Sequence, residues 1–437
     1  MCDLYRPQNL EELQEIVRSA PQADLISRGK GRSYGDAALN QARGVILQSG
    51  LDPALNLDAE SGILECGASA SLADILDCAV PRGFFLPITP GTKHISVGGA
   101  IAADVHGKNH HRDGTISSQL LDFRILTGTG AILTCSRQDN SDLFWATLGG
   151  MGLTGAVLAA RLQLRKTETA FVKTHTERCR DLDDALERID SGDGDYEYAV
   201  AWIDCLARGR SLGRSVLLRA NPALLRDLPA RIQSNPHANA RLLSLNMPFH
   251  WPSAVLNRFT MRLFNAAFFR AHRGKHAISH CNRYFYPLDR VGHWNRIYGR
   301  RGVLQYQIVL PRESARQGLT EILERTTAAG HGSFMAVLKS TGPANAAPLS
   351  FPIEGVSLAL DFPNTGSDLL ALLKALDHTV VNHGGRVYLA KDSTLGPEDF
   401  RAMYPRLGEF RAVKEKYDPK TRFSSSQARR LGIVDPL

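Results

Sequence analysis

Residues 90–111 read PGTKHISVGGAIAADVHGKNHH, with Gly91, Gly98, Gly99 and Gly107 set ahead of and among His106, His110 and His111. The stretch can be taken as a metal motif or as a cofactor loop, and the fold depends on which. A zinc helix needs two histidines on one face, a third ligand and usually a carboxylate between them. His106 and His110 have the i, i+4 spacing, but Gly107, Lys108 and Asn109 fill the interval, and Lys108 would set like charge beside a cation. No metal is therefore expected. Glycines permit left-handed backbone angles and let N–H groups approach an anion closely, so the stretch reads as one wall of an anion cradle. On that reading His106, at the end of the cradle, touches the bound cofactor. His110 and His111 stay divided between shaping the pocket and structural support.

Two more glycine loops lie on either side. RGKGRSYGD (28–36) places Gly29, Gly31 and Gly35 after the strand-like ADLISR, and LGGMGLTGAV (148–157) contributes Gly149, Gly150, Gly152 and Gly155. The first loop is neither the dinucleotide fingerprint, because its spacing is G-x-G-x-x-x-G, nor a Walker loop, because no GK[ST] closes it. Three such loops early in the chain describe one long ligand held mainly by backbone. A dinucleotide cofactor, with a pyrophosphate in its middle and a ring at one end, meets that description.

The remaining segments fit around this block. Asn9 caps a helix in NLEELQEIVRSA with Glu12 three residues on, GVILQS, LNLD and GILECGAS read as short strands, and SLADILDCAV as a capped helix. LLDFRILTGTGAILTCS is a hairpin turned at Gly128, Thr129 and Gly130. From about 171 to 385 the glycine loops stop and basic and aromatic residues thicken. There LNRFTMRLFNAAFFRAH (256–272), with Arg270 and nearby Arg273, reads as an amphipathic helix lying on a membrane surface. GGRVYLAKDSTLGPEDFRAMYPRLGEFRAVKEKYDP reads as a strand, a loop and one closing helix.

With 437 residues the chain exceeds a single ordinary core, so two domains are expected. The opening MCDLYRPQNLEELQEIV has no secretory pattern and no apolar run of about 18 residues follows. A cytoplasmic protein without a spanning segment, in peripheral contact with the membrane, is expected. Seven dispersed cysteines read as reduced thiols. The net charge of +8 calls for an anionic partner without choosing among nucleic acid, a phosphorylated ligand and an acidic membrane. A nucleic-acid role would leave three glycine loops idle, and a metal-dependent hydrolase would rest on the histidines alone.

RGKGRSYGD, PGTKHISVGGAIAADVHGKNHH, GGMGLTGAV, LQYQIVLP, YLAKDS, MYPRLGEFR and ARRLGI resemble the FAD-linked oxidases of the vanillyl-alcohol oxidase superfamily, with its PCMH-type FAD-binding fold. Within it they are most similar to decaprenylphosphoryl-β-D-ribose 2′-oxidases. The resemblance implies an α+β, two-domain fold: an FAD domain built from residues 1–170 and 386–437, and a substrate domain with an antiparallel sheet over 171–385. It places FAD contacts at Arg28, Gly29, Lys30, Gly31, Arg32, Ser33, Tyr34 and Gly35, and at Gly91, Ser96, Val97, Gly98 and Gly99. Ala103, Asp104, Val105, His106, Val157 and Tyr388 complete the set. Many relatives carry a flavinylated histidine in the first loop; Tyr34 stands there, which implies non-covalent FAD.

The implied reaction is hydride transfer from a sugar secondary alcohol to flavin N5, most nearly the ribose 2′-hydroxyl of a polyprenylphosphoryl ribose, as the first half of an epimerisation finished by a separate short-chain reductase. Lys391 and His106 would be the active-site pair, Lys391 being the fixed cation where negative charge gathers. Gln305 and Gln307, on one face of a strand, would hold sugar hydroxyls, with Lys339 and Lys108 beside them. A soluble alditol or aldonolactone oxidase is the nearest alternative.

Overall fold

Asp3–Tyr5 and Leu25–Arg28 flank Gly44–Leu47 in a parallel three-stranded sheet. The far end of the chain closes its edge: Phe423 bridges Leu25, whose N–H donates to Arg422 O at 2.6 Å while the Ser424 N–H donates back to Leu25 O at 2.9 Å. Helix Leu10–Ser19 sets Leu13 and Val17, one turn apart, into the small core shared with Leu25, Ile46 and Phe423. Its cap is the expected one, with Glu12 N–H on Asn9 Oδ1 at 2.8 Å and Asn9 Nδ2 on Glu12 Oε1 at 3.0 Å. The computed structural model describes residues 1–19, 24–192, 194–238, 245–252, 255–272, 274–333 and 335–434.

An antiparallel five-stranded sheet follows in the order Leu55–Leu57, Ile63–Gly67, Ala156–Gln163, Leu120–Leu126 and Ile132–Ser136. Its last two strands are the expected hairpin, turned through Gly130 at φ 81°. Ser71 caps the next helix, Leu72–Ala79, in a reciprocal box with Asp74.

The largest sheet is antiparallel throughout. Its order is Lys275–His280, Phe171–Cys179, Ser215–Pro222, Tyr198–Ile203, Ala336–Thr341, Gly355–Pro363, Val303–Pro311 and Arg386–Val387. Strand alternation divides its residues between two faces. Tyr306, Ile308, Leu310, Leu338, Leu358 and Leu360 share one face, packed under helices Arg312–Ala328 and Ser367–Asn382. Gln305, Gln307, Lys339, Ala359 and Asp361 share the other, by the pairs Gln305↔Asp361, Gln307↔Ala359 and Lys339↔Ser357.

The carboxyl-terminal section departs from expectation. Two helices, Pro397–Met403 and Leu407–Tyr417, replace the single one, because Pro405 disfavours helical angles at Tyr404, which sits at φ −124°, ψ 70°. Helix Arg258–Ala271 forms as expected, capped by Asn257, whereas Arg273 lies outside the described residues. Among the described residues no helix is long and apolar enough to cross a membrane.

Candidate active site

The glycine loops meet because they have no side chains. A Cβ on Gly29 would stand 2.1 Å from Ser96 Oγ, and one on Gly35 only 1.6 Å from Asp392 O. Ser96 caps the short helix Val97–Ala102, its Oγ accepting from the Gly99 N–H at 3.3 Å. The Tyr34 N–H donates to Ala390 O at 3.0 Å, which fixes the first loop to YLAKDS. Gly91 faces open space. Lys30, Gly31 and Arg32 are exposed, and Arg32 donates to His94 O at 3.3 Å. Among the described residues the backbone N–H groups of Gly29 to Ser33 have no acceptor within the chain. A run of free amides in a glycine loop fits an anion.

Beyond the short helix, Asp104 is buried at φ 41° and accepts from Asn345 Nδ2 and Ser350 Oγ, both at 2.6 Å. This ties the cradle to the segment that follows the large sheet's fifth strand. Tyr388 donates from its hydroxyl to Ala103 O at 2.8 Å, and the carbonyl of Val157 accepts from Gln48 Nε2 at 3.0 Å. His106, 6% exposed, packs beside the stacked rings of Phe351 and Tyr388, whose centroids lie 5.5 and 5.2 Å away. Its Nε2 lies 3.1 Å from Gln307 Nε2, so the amide donates and the proton sits on Nδ1, which has no partner. Burial, then Lys339, His110 and Lys391, hold the ring well below its usual pKa, so it is neutral.

His110 and His111 both bond to backbone of other segments. His110 Nδ1 accepts the Gly342 N–H at 3.0 Å and His111 Nε2 lies 3.2 Å from Tyr196 O, pinning the loop to the large sheet. Burial lowers the His110 pKa to about 3. Among the described residues no three His, Cys, Asp or Glu side chains cluster as metal ligands.

Three part-buried lysines reach one region. Lys391 Nζ stands 4.1 Å from the Tyr34 ring centroid, and burial lowers its pKa to about 8 against the pull of Asp361. Burial, then Lys391 and Lys108, lowers Lys339 to about 7. Lys108, lowered by burial to about 7, lies over the Tyr284 ring at 4.2 Å. The carboxylate that acts on Lys391 is Asp361, 2% exposed, held by Gln305 Nε2 and pushed up to about 6 by burial. Sequence reading missed Asp361, because one acid within LALDFP carries no local mark; only the register Gln305↔Asp361 brings it to the site. Trp294, 6.5 Å from Tyr34 ring to ring, was missed as well.

Free amides, the unpartnered buried atoms Ser27 Oγ, His106 Nδ1 and Gln305 Oε1, and a cationic wall together fit a flavin dinucleotide. Residues 4–136 match the FAD binding domain family and residues 363–431 the D-arabinono-1,4-lactone oxidase family. The protein is thus an FAD-dependent oxidoreductase of the two-domain PCMH-type fold, acting on a CH–OH group of a sugar. A decaprenylphosphoryl-beta-D-ribose oxidase of Mycolicibacterium smegmatis is 37% identical over 96% of this chain and 92% of its own. L-gulonolactone oxidase of Bos taurus is 25% identical over 42% of this chain and 43% of its own. Cytokinin dehydrogenase 1 of Oryza sativa is 33% identical over 36% and 30%. The chain belongs to the decaprenylphosphoryl-β-D-ribose oxidase family.

Proposed function

We propose that the enzyme oxidises the 2′-hydroxyl of a polyprenylphosphoryl ribose to the ketone, which a separate short-chain reductase then reduces to the epimer. The observation that carries this is the drawing of Lys108, Lys339 and Lys391 out of solvent, where among the described residues Asp361 is the carboxylate that acts on Lys391. Cations withdrawn from water without matching anions oppose folding. Such a cluster makes sense where anionic groups arrive from outside. The substrate supplies a phosphate, and FAD, when bound, supplies the acceptor for the hydrogen on the sugar carbon.

Residues 1–170 and 386–437 would form the FAD domain and 171–385 the substrate domain. The amides of Gly29–Ser33 would hold the pyrophosphate, with Ser96–Gly99, whose Val97, Gly98 and Gly99 N–H groups donate to Ala70 O, Ala68 O and Ser96 Oγ, packed against it as the second wall. Ala103–His106, Val157 and Tyr388 would line the ring, with no covalent link because Tyr34 occupies the histidine position. Lys391, whose Nζ lies over Tyr34 and whose charge Asp361 favours, would steady the negative charge left after reduction. Neutral His106 would offer its free Nδ1–H. Gln305 and Gln307 would orient the sugar hydroxyls, and Lys339 and Lys108 would meet the phosphate.

The prenyl tail has a place to go. Among the described residues, Leu245, Phe249, Val255, Phe259, Leu263 and Phe264 are exposed within a short span that also exposes Arg258, Arg262 and Arg270. Such a surface suits an anionic bilayer. The helix carrying it lies on the same sheet face as Lys339 and Gln307, because Phe268 packs at 4.6 Å on Trp202, which pairs with Val337.

The position of oxidation is testable by isotope. Deuterium at C2′ of a short-chain polyprenylphosphoryl-β-D-ribose should slow anaerobic flavin reduction severalfold, and deuterium at C3′ should leave it unchanged. An effect at C3′ alone would refute the 2′ assignment.

A further inference from the structure

Oxidising an alcohol frees a proton as well as a hydride, and the roles above leave that proton without a destination. His106 is no acceptor, since the Gln307 amide occupies Nε2 and the proton sits on Nδ1. The Tyr34 and Tyr298 phenols are pushed above their usual range, chiefly by burial, and stay protonated. A bound phosphate raises the proton affinity of Lys339 and Lys108, so with substrate present they are ammonium donors. Lys391 is needed as a cation.

We infer that Asp361 takes the hydroxyl proton as the sugar C–H bond breaks, an inference resting on the sugar-oxidation reading above. Three placements support it. Asp361 shares its sheet face with Gln305, Gln307 and Lys339. Gln305 Nε2 donates to Oδ1, and the Asp361 N–H donates to Ser333 Oγ at 3.0 Å, so the carboxylate is fixed. Finally, Asp361 and Lys391 influence one another, yet among the described residues they form no ion pair within 4.0 Å. The carboxylate and the ammonium thus act on one another from more than 4.0 Å apart, with neither neutralising the other in a direct pair.

The step balances. The O–H bond breaks and its proton joins a carboxylate oxygen of Asp361; the electron pair left on oxygen becomes the second C–O bond; the C–H pair departs with its hydrogen to FAD. Asp361 afterwards returns the proton to solvent. Among the described residues, the titratable groups whose charge acts on or is felt from it are Lys391, Tyr34 and Tyr298, and Lys339 shares its sheet face. A carboxyl that titrates at about 6 lies near the working pH, where a general base is most effective.

The test is anaerobic stopped-flow reduction of the holoenzyme by farnesylphosphoryl-β-D-ribose across the acidic to mildly alkaline range. In the unaltered enzyme the rate should fall on the acid side near pH 6. Asp361→Asn should keep its FAD and its affinity for the substrate, lose roughly 10²–10⁴-fold in rate, and lose the acid limb. Near-normal reduction with the acid limb intact would overturn the inference. Should Asp361→Asn lose FAD, Asp361→Glu decides: a displaced acid limb supports the role and an unmoved one refutes it. If the unaltered enzyme is not reduced by this compound, the substrate reading fails instead, and the same variants are then judged with the alditol or aldonolactone that reduces it.

Discussion

Lys339 stands on a strand where an apolar residue would pack better, and burial holds its ammonium below the usual lysine range. The folded value of about 7 lies below the ordinary 10.5, so the folded protein binds this proton less readily than the unfolded chain does. The penalty is full below about pH 7, shrinks as pH rises, and vanishes above 10.5. Lys339→Met should therefore stabilise the flavin-free protein at neutral pH by on the order of 1–3 kcal/mol, given the side chain's partial exposure, and raise its melting temperature accordingly. The gain should disappear toward alkaline pH, and the same variant should show a higher KM for a phosphate-bearing sugar. Calorimetry showing equal or lower stability at neutral pH would mean the lysine is structural. At this scale the cofactor reading of the loop rested on local marks, since HGKNHH lacks a metal site's carboxylate and follows a glycine cradle, and the loop lies within residues 4–136 that match the FAD binding domain family. Such marks could not assign His110 or Asp361, whose partners Gly342 and Gln305 lie 232 and 56 residues away.

Helix Arg258–Ala271 shows how an element can fold on few contacts. Met261 and Asn265 are buried, Asn265 donating to Asp204 Oδ1 at 2.7 Å, and Phe268 meets Trp202. These positions, one turn apart, form a narrow inward stripe. Phe259 and Leu263 point away, 76% and 63% exposed, with arginines around them. Phe259→Ser combined with Leu263→Ser should therefore weaken binding to anionic phospholipid vesicles by about tenfold, on the order of 1.4 kcal/mol, at little expense to the fold. Reduction by a short-chain soluble substrate should be unaffected. Unchanged sedimentation with vesicles would remove the bilayer from the account. The helix was legible because its apolar and basic residues alternate at helical spacing. The closing segment was misjudged as one helix because continuous helical periodicity outweighed Pro405.

The molecule as a whole is held together by contacts between its ends. Arg430 donates to Asp36 Oδ1 at 2.6 Å and to Asp392 Oδ2 at 2.8 Å, joining the first glycine loop, YLAKDS and the last helix at one guanidinium. Phe423 extends the sheet that Leu25 begins. No local pattern announces such closure, so its expectation rested on the family resemblance, whereas the glycine loops and the antiparallel strands could be read from the residues themselves. That closure sets the glycine cradle beside the cationic face of the large sheet, and the central claim is that the two together serve a phosphorylated, lipid-linked ribose. The most direct measurement is anaerobic mixing of the FAD-loaded enzyme with farnesylphosphoryl-β-D-ribose or with L-gulonolactone, following the visible flavin band. Rapid bleaching by the phosphorylated ribose and none by the lactone is the predicted result; bleaching by the lactone alone would contradict the account.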